Sequence, residues 1–352
     1  MQAPDPDRLN VFLGRMVGDL GSVASGALVV LGDRLGLYKA MGDGAKLTPD
    51  ELAQRTGTNA RNVREWLAAQ AAAGYVDVDA GGEKFFLNPE QATAFADEDS
   101  PAFMAGAFEV LSSLWIDEPK VSESFRTGRG MAWHDHSQCL FRGTERFFRP
   151  GYNANLVDAW LPALDGVVEK LRNGACVADV GCGHGASTVI MARAFPRSHF
   201  TGFDYHPASI ARAQAAAASA GVGANTSFTV ASAKNFSGTF DLIAFFDCLH
   251  DMADPVGVMQ HTRAALKTDG IAMLVEPFAN DRVQDNLNPV GRMMYGASSQ
   301  ICVPVSLARN GPALGAQAGE ARLRDVVVDK GGFTRFRRAT ETPFNLVFEA
   351  RP

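Results

Sequence analysis

Three clusters of residues in this chain have types and spacing that could do chemistry. The first is Asp179-Val180-Gly181-Cys182-Gly183-His184-Gly185, preceded by the apolar run Ala175 to Ala178 and followed by Ala186-Ser187-Thr188-Val189-Ile190. It reads as a buried strand that breaks through a glycine turn into a helix. Gly181, Gly183 and Gly185 let the backbone turn sharply and uncover peptide N–H groups that a Cβ would shield from a ligand. Dinucleotide sites want G-x-G-x-x-G, whereas the glycines here run G-x-G-x-G with an acid two residues ahead. That spacing suits a cofactor with an amino-acid tail, whose ammonium group Asp179 would orient.

The second cluster begins at Asp204, which ends the apolar run His199–Asp204 about 20 residues past the glycine turn. A carboxylate there accepts hydrogen bonds from both hydroxyls of a ribose; the alternative is a helix cap. Tyr205 offers a face to adenine, with surface packing as the alternative. After the run Ser227–Val230, Ser232 and Ala233 sit where a side chain and a backbone N–H would read an adenine edge, although Ser232 could simply end the strand.

The third is Phe246-Asp247-Cys248-Leu249-His250-Asp251-Met252-Ala253-Asp254-Pro255, at the end of the run Asp241–Phe246. Sites in open α/β sheets lie beyond the carboxyl ends of the strands, so Phe246 and Asp247 are expected beside the cofactor and His250 in the cleft. An imidazole can take a proton from a hydroxyl. Glu276, in Leu274-Val275-Glu276-Pro277, ends the next strand and could fix the tautomer of His250. The alternative for His250 is a helix cap or a bond to the backbone.

The elements that must position these residues follow from periodicity. Strands are expected at Cys176–Val180, His199–Asp204, Ser227–Val230, Asp241–Phe246 and Ile271–Glu276 with helices between, and a final antiparallel hairpin at Thr334–Arg338 and Asn345–Glu349. Upstream, Leu9–Met41 reads as helix. Thr48-Pro49 opens a short helix ended by Gly57, and Asn59 caps another over Ala60–Ala73. Tyr75–Asp79 and Lys84–Leu87 then read as a hairpin, completing a winged-helix pattern. The aromatic-rich stretch from Pro101 to Leu171 is mostly helical. The expected division is 1–95 as a winged-helix and dimerisation domain, 96–165 as a helical connector and substrate cap, and 166–352 as the cofactor-binding domain.

With 352 residues, 46% of them hydrophobic, the chain has ample material for buried cores. A formal net charge of -6 argues against a general grip on nucleic acid. Arg61 and Arg64 lie on the would-be recognition helix, but from Lys46 to Asp79 acids outnumber bases. No secretory signal is expected at Met1–Asp7, and the most apolar stretch, Val23–Leu31, is too short to span a bilayer. Five cysteines without a C-x-x-C pair suit reduced thiols in a cytoplasm. His134-Asp135-His136 lacks an obvious third ligand, so no metal is expected.

Asp179-x-Gly181-x-Gly183-x-Gly185, Asp204 and the strand pattern resemble a class I S-adenosylmethionine-dependent methyltransferase over roughly residues 150–352. With the winged helix in front, the whole chain is similar to the two-domain small-molecule O-methyltransferases. His250-Asp251-Met252-Ala253-Asp254 matches their plant-type His-Asp-Trp-x-Asp motif at its first, second and fifth positions, and their carboxylate partner maps to Glu276. Met252 stands in place of the tryptophan, and Ser232 in place of an expected aspartate. Asn288-Pro289-Val290-Gly291-Arg292, Gly315 to Glu320 and Glu341 to Leu346 resemble a bacterial subfamily in which mycobacterial members are prominent.

The resemblance implies an α/β fold with a Rossmann-like, mostly parallel sheet behind a helical winged-helix domain. It also implies S-adenosyl-L-methionine as cofactor, His250 as base, a small and largely apolar hydroxylated acceptor, and a homodimer through the first domain. Phe108, Trp115 and Trp133 from the connector, with Met293, Met294 and Tyr295 beyond the fifth strand, are candidate substrate walls; core packing is the alternative for each. A regulator that binds the cofactor and DNA, or a methyltransferase acting on nitrogen, sulfur or carbon, remain the competing functions.

Overall fold

A computed structural model describes residues 3–352. They form two compact units, one running up to Ser113 with Gln138–Pro150 added, the other comprising Leu114–Ser137 and Gly151–Pro352.

In the first unit α1 (Pro6–Arg34) starts where the Asp5 carboxylate accepts the N–H groups of Asp7 and Arg8. The helix expected over Leu9–Met41 is broken, because Gly36 adopts a left-handed φ of 71° and restarts the chain as α2 (Leu37–Ala40). α3 (Pro49–Thr56) has a capping box between Thr48 and Glu51, and α4 (Ala60–Ala72) is capped by Asn59. The wing that follows is shorter than the sequence suggests, with β1 (Asp77–Val78) pairing antiparallel with β2 (Phe85–Phe86). Its turn is closed by the Asp79 carboxylate, which takes the N–H groups of Glu83 and Lys84. α5 (Pro89–Phe95) completes a core in which Tyr38, Leu52, Trp66, Leu67 and Phe95 are buried. Trp66 lies so close to α1 that a Cβ on Gly32 would stand 2.4 Å from its ring.

The opposite side of α1 has no such cover. Val11, Phe12, Val17 and Leu20 are all more than half exposed. The apolar stretch also extends well beyond Val23–Leu31: at 29 residues α1 is long and apolar enough, by length and composition, to cross a membrane.

The connecting region comprises α6 (Ala105–Thr127), a 3₁₀ turn (Trp133–Asp135), α7 (Gln138–Asn155) and a π turn (Leu156–Trp160). Arg146 of α7 belongs to the first unit, where it pairs with Asp33 at 2.6 Å and Glu98 at 2.7 Å.

The second unit continues with α8 (Val167–Asn173), β3 (Cys176–Val180), α9 (Ala186–Ala194), β4 (His199–Asp204), α10 (Pro207–Ser219), β5 (Thr226–Val230), β6 (Phe240–Phe246), α11 (Pro255–Ala265) and β7 (Leu266–Pro277). After β7 come α12 (Pro289–Gln300), α13 (Cys302–Leu307), α14 (Gly319–Arg324), a π turn (Asp325–Lys330), β8 (Arg335–Glu341) and β9 (Asn345–Arg351). The seven strands lie in the order β5-β4-β3-β6-β7-β9-β8. The first five are parallel, and β9 and β8 close the sheet antiparallel. β7 starts earlier than expected, because Leu266 pairs with Phe240 before the register shift near Leu242. The fold is the expected one: a mostly parallel sheet with a terminal antiparallel hairpin, preceded by a helical winged-helix unit. Strands β3, β6, β7 and β9 are almost wholly buried, so the polar groups at their carboxyl ends are held in rigid, desolvated frames.

Candidate active site

The glycine turn leaves β3 through three left-handed residues, Gly181 (φ 77°), Gly183 (φ 52°) and Gly185 (φ 82°). Their surroundings differ. A Cβ on Gly181 would stand 2.8 Å from the Cys248 sulfur, and one on Gly185 would stand 2.9 Å from the Ala213 Cβ. A Cβ built on Gly183 would meet nothing within 4 Å, so on this side a ligand can approach the backbone.

Asp179, behind the turn, is buried. Its Oδ2 accepts from the hydroxyls of Ser187 and Thr188, both at 2.6 Å, while Oδ1 is buried with no partner. Desolvation pushes the carboxyl up to about 6 against the two hydroxyl bonds that hold it down. A buried carboxylate oxygen with no hydrogen-bond donor fits an ammonium group. Sequence reading singled out Asp179 and missed its two hydroxyl donors, although Ser187 and Thr188 stand in plain view at the start of the following helix.

Asp204 ends β4, the neighbour of β3. Its Oδ2 accepts the Gly183 N–H at 3.0 Å and its Oδ1 the His206 N–H at 2.8 Å. The carboxylate thus shapes the glycine turn and the entry to α10, and each oxygen keeps a lone pair for a further donor. Burial raises its proton affinity, and the two backbone bonds oppose that. Beyond β4 and β5 lies an open cleft of about 460 Å³ lined by Phe203, Tyr205, Ala231, Ser232, Asn235 and Phe236, among others. Tyr205 carries the Arg309 guanidinium 4.1 Å from its ring centre, a neighbour with no signal in the sequence. Ser232 turns back to accept the Lys234 N–H at 3.3 Å, and Ala233 packs against the sheet core.

At the end of β6 the chain enters a 3₁₀ turn, Leu249–Asp251, that carries His250. His250 and Glu276 are both buried, with Nδ1 and Oε2 2.6 Å apart. The other Glu276 oxygen accepts the Leu249 N–H at 3.0 Å. On the far side of the ring, Nε2 lies 3.3 Å from the Cys302 sulfur. Burial alone would lower the basicity of His250. The adjacent Glu276 carboxylate, with Cys302, overrides it and holds the imidazole well above its usual range.

Asp247 sits at a left-handed φ of 52° and is bound by the Tyr152 hydroxyl at 2.8 Å and the Asn345 amide at 2.9 Å. Desolvation, with the Glu276 charge, pushes its carboxyl up to about 7, and desolvation does the same for Asp251. Phe246 is buried with its ring centre 5.3 Å from that of Tyr152. Asp254, the fifth position of the His-Asp motif, caps α11 through the Gly257 N–H and pairs with Lys234.

The candidate substrate walls separate into groups. Phe108 packs with Tyr75 and Phe95 in the core of the first unit, so packing accounts for it. Trp115 is 72% exposed. In the second unit Trp133 is half-buried beside His136; on α12, Met294 is buried while Met293 and Tyr295 are half-buried. No group of three or more metal-ligating side chains occurs among the described residues, His134 and His136 included.

Residues 171–311 match the family model described as a methyltransferase domain, and residues 23–96 match that of the Rv2258c-like winged HTH domain. No curated protein matches the chain by sequence. Among solved structures, an O-methyltransferase family protein from Burkholderia thailandensis superposes with a TM-score of 0.69 at 17% identity, covering 99% of each chain. The mitomycin 7-O-methyltransferase MmcR gives 0.68 at 18% identity, over 98% of this chain and 100% of that one. Human N-acetylserotonin methyltransferase, solved in complex with S-adenosylmethionine, gives 0.67 at 15% identity, over 100% and 99%. These likenesses extend over both units. On the two domain matches and this architecture, the chain carries a methyltransferase domain on a mostly parallel sheet behind an Rv2258c-like winged HTH domain.

Proposed function

We propose that this enzyme methylates the hydroxyl oxygen of a small, apolar acceptor, with His250 as the general base. The observation that carries the reading is the buried His250–Glu276 pair at 2.6 Å, placed at the carboxyl ends of two adjacent parallel strands.

Several residues suit the cofactor. Asp179 would receive the ammonium group on its unpartnered Oδ1, and the open side of Gly183 would admit the amino-acid tail. Asp204 would take the ribose hydroxyls, and the cleft beside Tyr205, Ser232 and Ala233 the adenine, with Phe246 and Asp247 flanking it. When bound, S-adenosyl-L-methionine supplies a methyl group already activated by its positive sulfur. The protein's own task is then to position the acceptor and receive one proton. Glu276 holds the proton on Nδ1, so Nε2 is the nitrogen that accepts. The imidazolium that forms is stabilised by the same carboxylate. Such base catalysis is typically worth about 10²–10⁴-fold. Trp133, Met293 and Tyr295 would supply apolar walls, with Met294 packed behind them.

The uncovered apolar side of α1 supports a homodimer through the first unit, a second copy covering Val11, Phe12, Val17 and Leu20. Five free thiols suit a reducing cytoplasm. The DNA-binding reading is disfavoured by α4, where Arg61 is engaged by Glu65 at 2.6 Å.

The test is transfer of labelled methyl from S-adenosylmethionine to a panel of phenols and hydroxylated fatty compounds, comparing the native protein with His250→Asn. Loss of at least about 100-fold is expected in the variant. Full activity of His250→Asn on the best acceptor would point instead to a nitrogen, sulfur or carbon acceptor, or to one that needs no base.

A further inference from the structure

The nitrogen of His250 that should receive the proton already has a neighbour. Cys302 Sγ lies 3.3 Å from Nε2, on the side of the ring opposite Glu276. The three side chains come from three elements, α13, the turn after β6, and β7, and they form a Cys-His-Glu series with two buried members and a partly exposed thiol. α13 is pinned in this position. The Ser306 hydroxyl donates to the Met252 carbonyl at 3.0 Å, and the Pro304 carbonyl accepts the Met131 N–H at 2.9 Å.

We propose that Cys302 is a reactive thiol guarding the base nitrogen of His250: the acceptor hydroxyl displaces it from Nε2, and soft electrophiles such as haloacetamides or α,β-unsaturated carbonyls alkylate it and close the site. The proposal rests on the reading of His250 as the base. Thiolate is the attacking form of cysteine, and an imidazole within hydrogen-bond distance receives its proton. With iodoacetamide, Sγ bonds to the methylene carbon, the carbon–iodine bond breaks, iodide leaves, and the thiol proton passes to Nε2. The added acetamide then stands where the acceptor oxygen must dock. Cys176, exposed at the start of β3, is an internal reference; Cys139 and Cys182 are buried.

The experiment treats the full-length protein with limiting iodoacetamide at a pH above the acid limb of methyl transfer, where the His250 imidazole is neutral, and follows each cysteine by peptide mass spectrometry in the native protein, His250→Asn and Glu276→Gln. Thermal melts confirm that each variant is folded, and Glu276→Gln serves if His250→Asn is not. Cys302 is expected to react at least about tenfold faster than Cys176 in the native protein and to fall to the Cys176 rate in the variants. Prior alkylation should block methyl transfer. A Cys302 rate that is no faster than that of Cys176, or that is unchanged by both variants, overturns the proposal. The base reading fails separately: slowed labelling with methyl transfer retained in His250→Asn keeps the thiol–imidazole pair and removes the base. Unchanged labelling with transfer abolished does the reverse.

Discussion

Glu276 grips the His250 turn twice, with one carboxylate oxygen 2.6 Å from His250 Nδ1 and the other accepting the Leu249 N–H at 3.0 Å. The carboxylate therefore sets both the tautomer of the ring and the path of the backbone that carries it. A buried imidazole without such a partner would be a weaker base than in water, whereas this one is stronger.

The pH dependence follows. The base must be neutral, and its affinity for a proton is raised, so kcat/KM should climb with pH through a range above the ordinary histidine value near 6.5. In Glu276→Gln the negative partner is gone and imidazole loses its proton more easily. The acid limb should move to lower pH while the plateau falls about 10²–10⁴-fold. A pH–rate profile of both proteins on the best acceptor checks this, and an acid limb that does not move would rule out the coupling.

Asp179→Asn should stabilise the protein and weaken cofactor binding. An asparagine can keep its oxygen toward Ser187 and Thr188 and put its amide where Oδ1 has no partner. The carboxyl is raised from 3.8 to about 6, so a buried charge above that pH costs on the order of 3 kcal/mol. A group with a raised folded-state value favours folding at low pH and loses that contribution as pH rises through about 6. The melting-temperature advantage of the variant should accordingly be largest above about 6 and vanish near 3.8. Calorimetry with S-adenosylhomocysteine should show at least about tenfold weaker binding, since the ammonium loses its counter-charge.

Gly183→Ala and Gly185→Ala should separate ligand approach from packing. At Gly183 a methyl meets nothing within 4 Å, so the folded state loses only the left-handed strain, about 1 kcal/mol, while the tail of the cofactor is obstructed. At Gly185 the methyl would strike Ala213 at 2.9 Å and Phe228 at 3.1 Å, costing about 2–4 kcal/mol with the added strain. Melting curves and S-adenosylhomocysteine titrations of the two variants distinguish the effects. Equal loss of stability in both would contradict the assignment.

Phe12→Glu and Leu20→Glu should convert the proposed dimer to monomer without lowering the melting temperature of the first unit's core, because both side chains face away from it. Light scattering after size exclusion reads the outcome directly. A native protein that is monomeric at all concentrations tested would sink the dimer.

Much of the fold was legible because its signals are local. β3 and β4 lie at the expected residues, since each is a short apolar run with an aspartate at or next to its carboxyl end, before a glycine or cap. Thr48 and Asn59 announce their helices through hydroxyl and amide caps whose partners lie within three residues. The break at Gly36 was harder to read: apolar periodicity continues across it, and only the left-handed φ ends the helix.

By itself, then, the sequence determined the order of the elements and which acids and which histidine stand at strand ends, because hydrophobic period and turn chemistry are properties of neighbouring residues. The tertiary structure decided which of those groups touch. The parallel register of β6 and β7, with Phe246 opposite Val275, brings Glu276 to His250. The packing of α13 on the turn after β6 brings Cys302 to the other nitrogen, across 52 positions of sequence. Tertiary packing likewise put Phe108 against the core of the first unit and left Trp115 exposed, although residue type and place in the connector made both candidates for a pocket. Contacts between distant segments depend on how whole helices and strands settle against one another, and no local pattern encodes that arrangement.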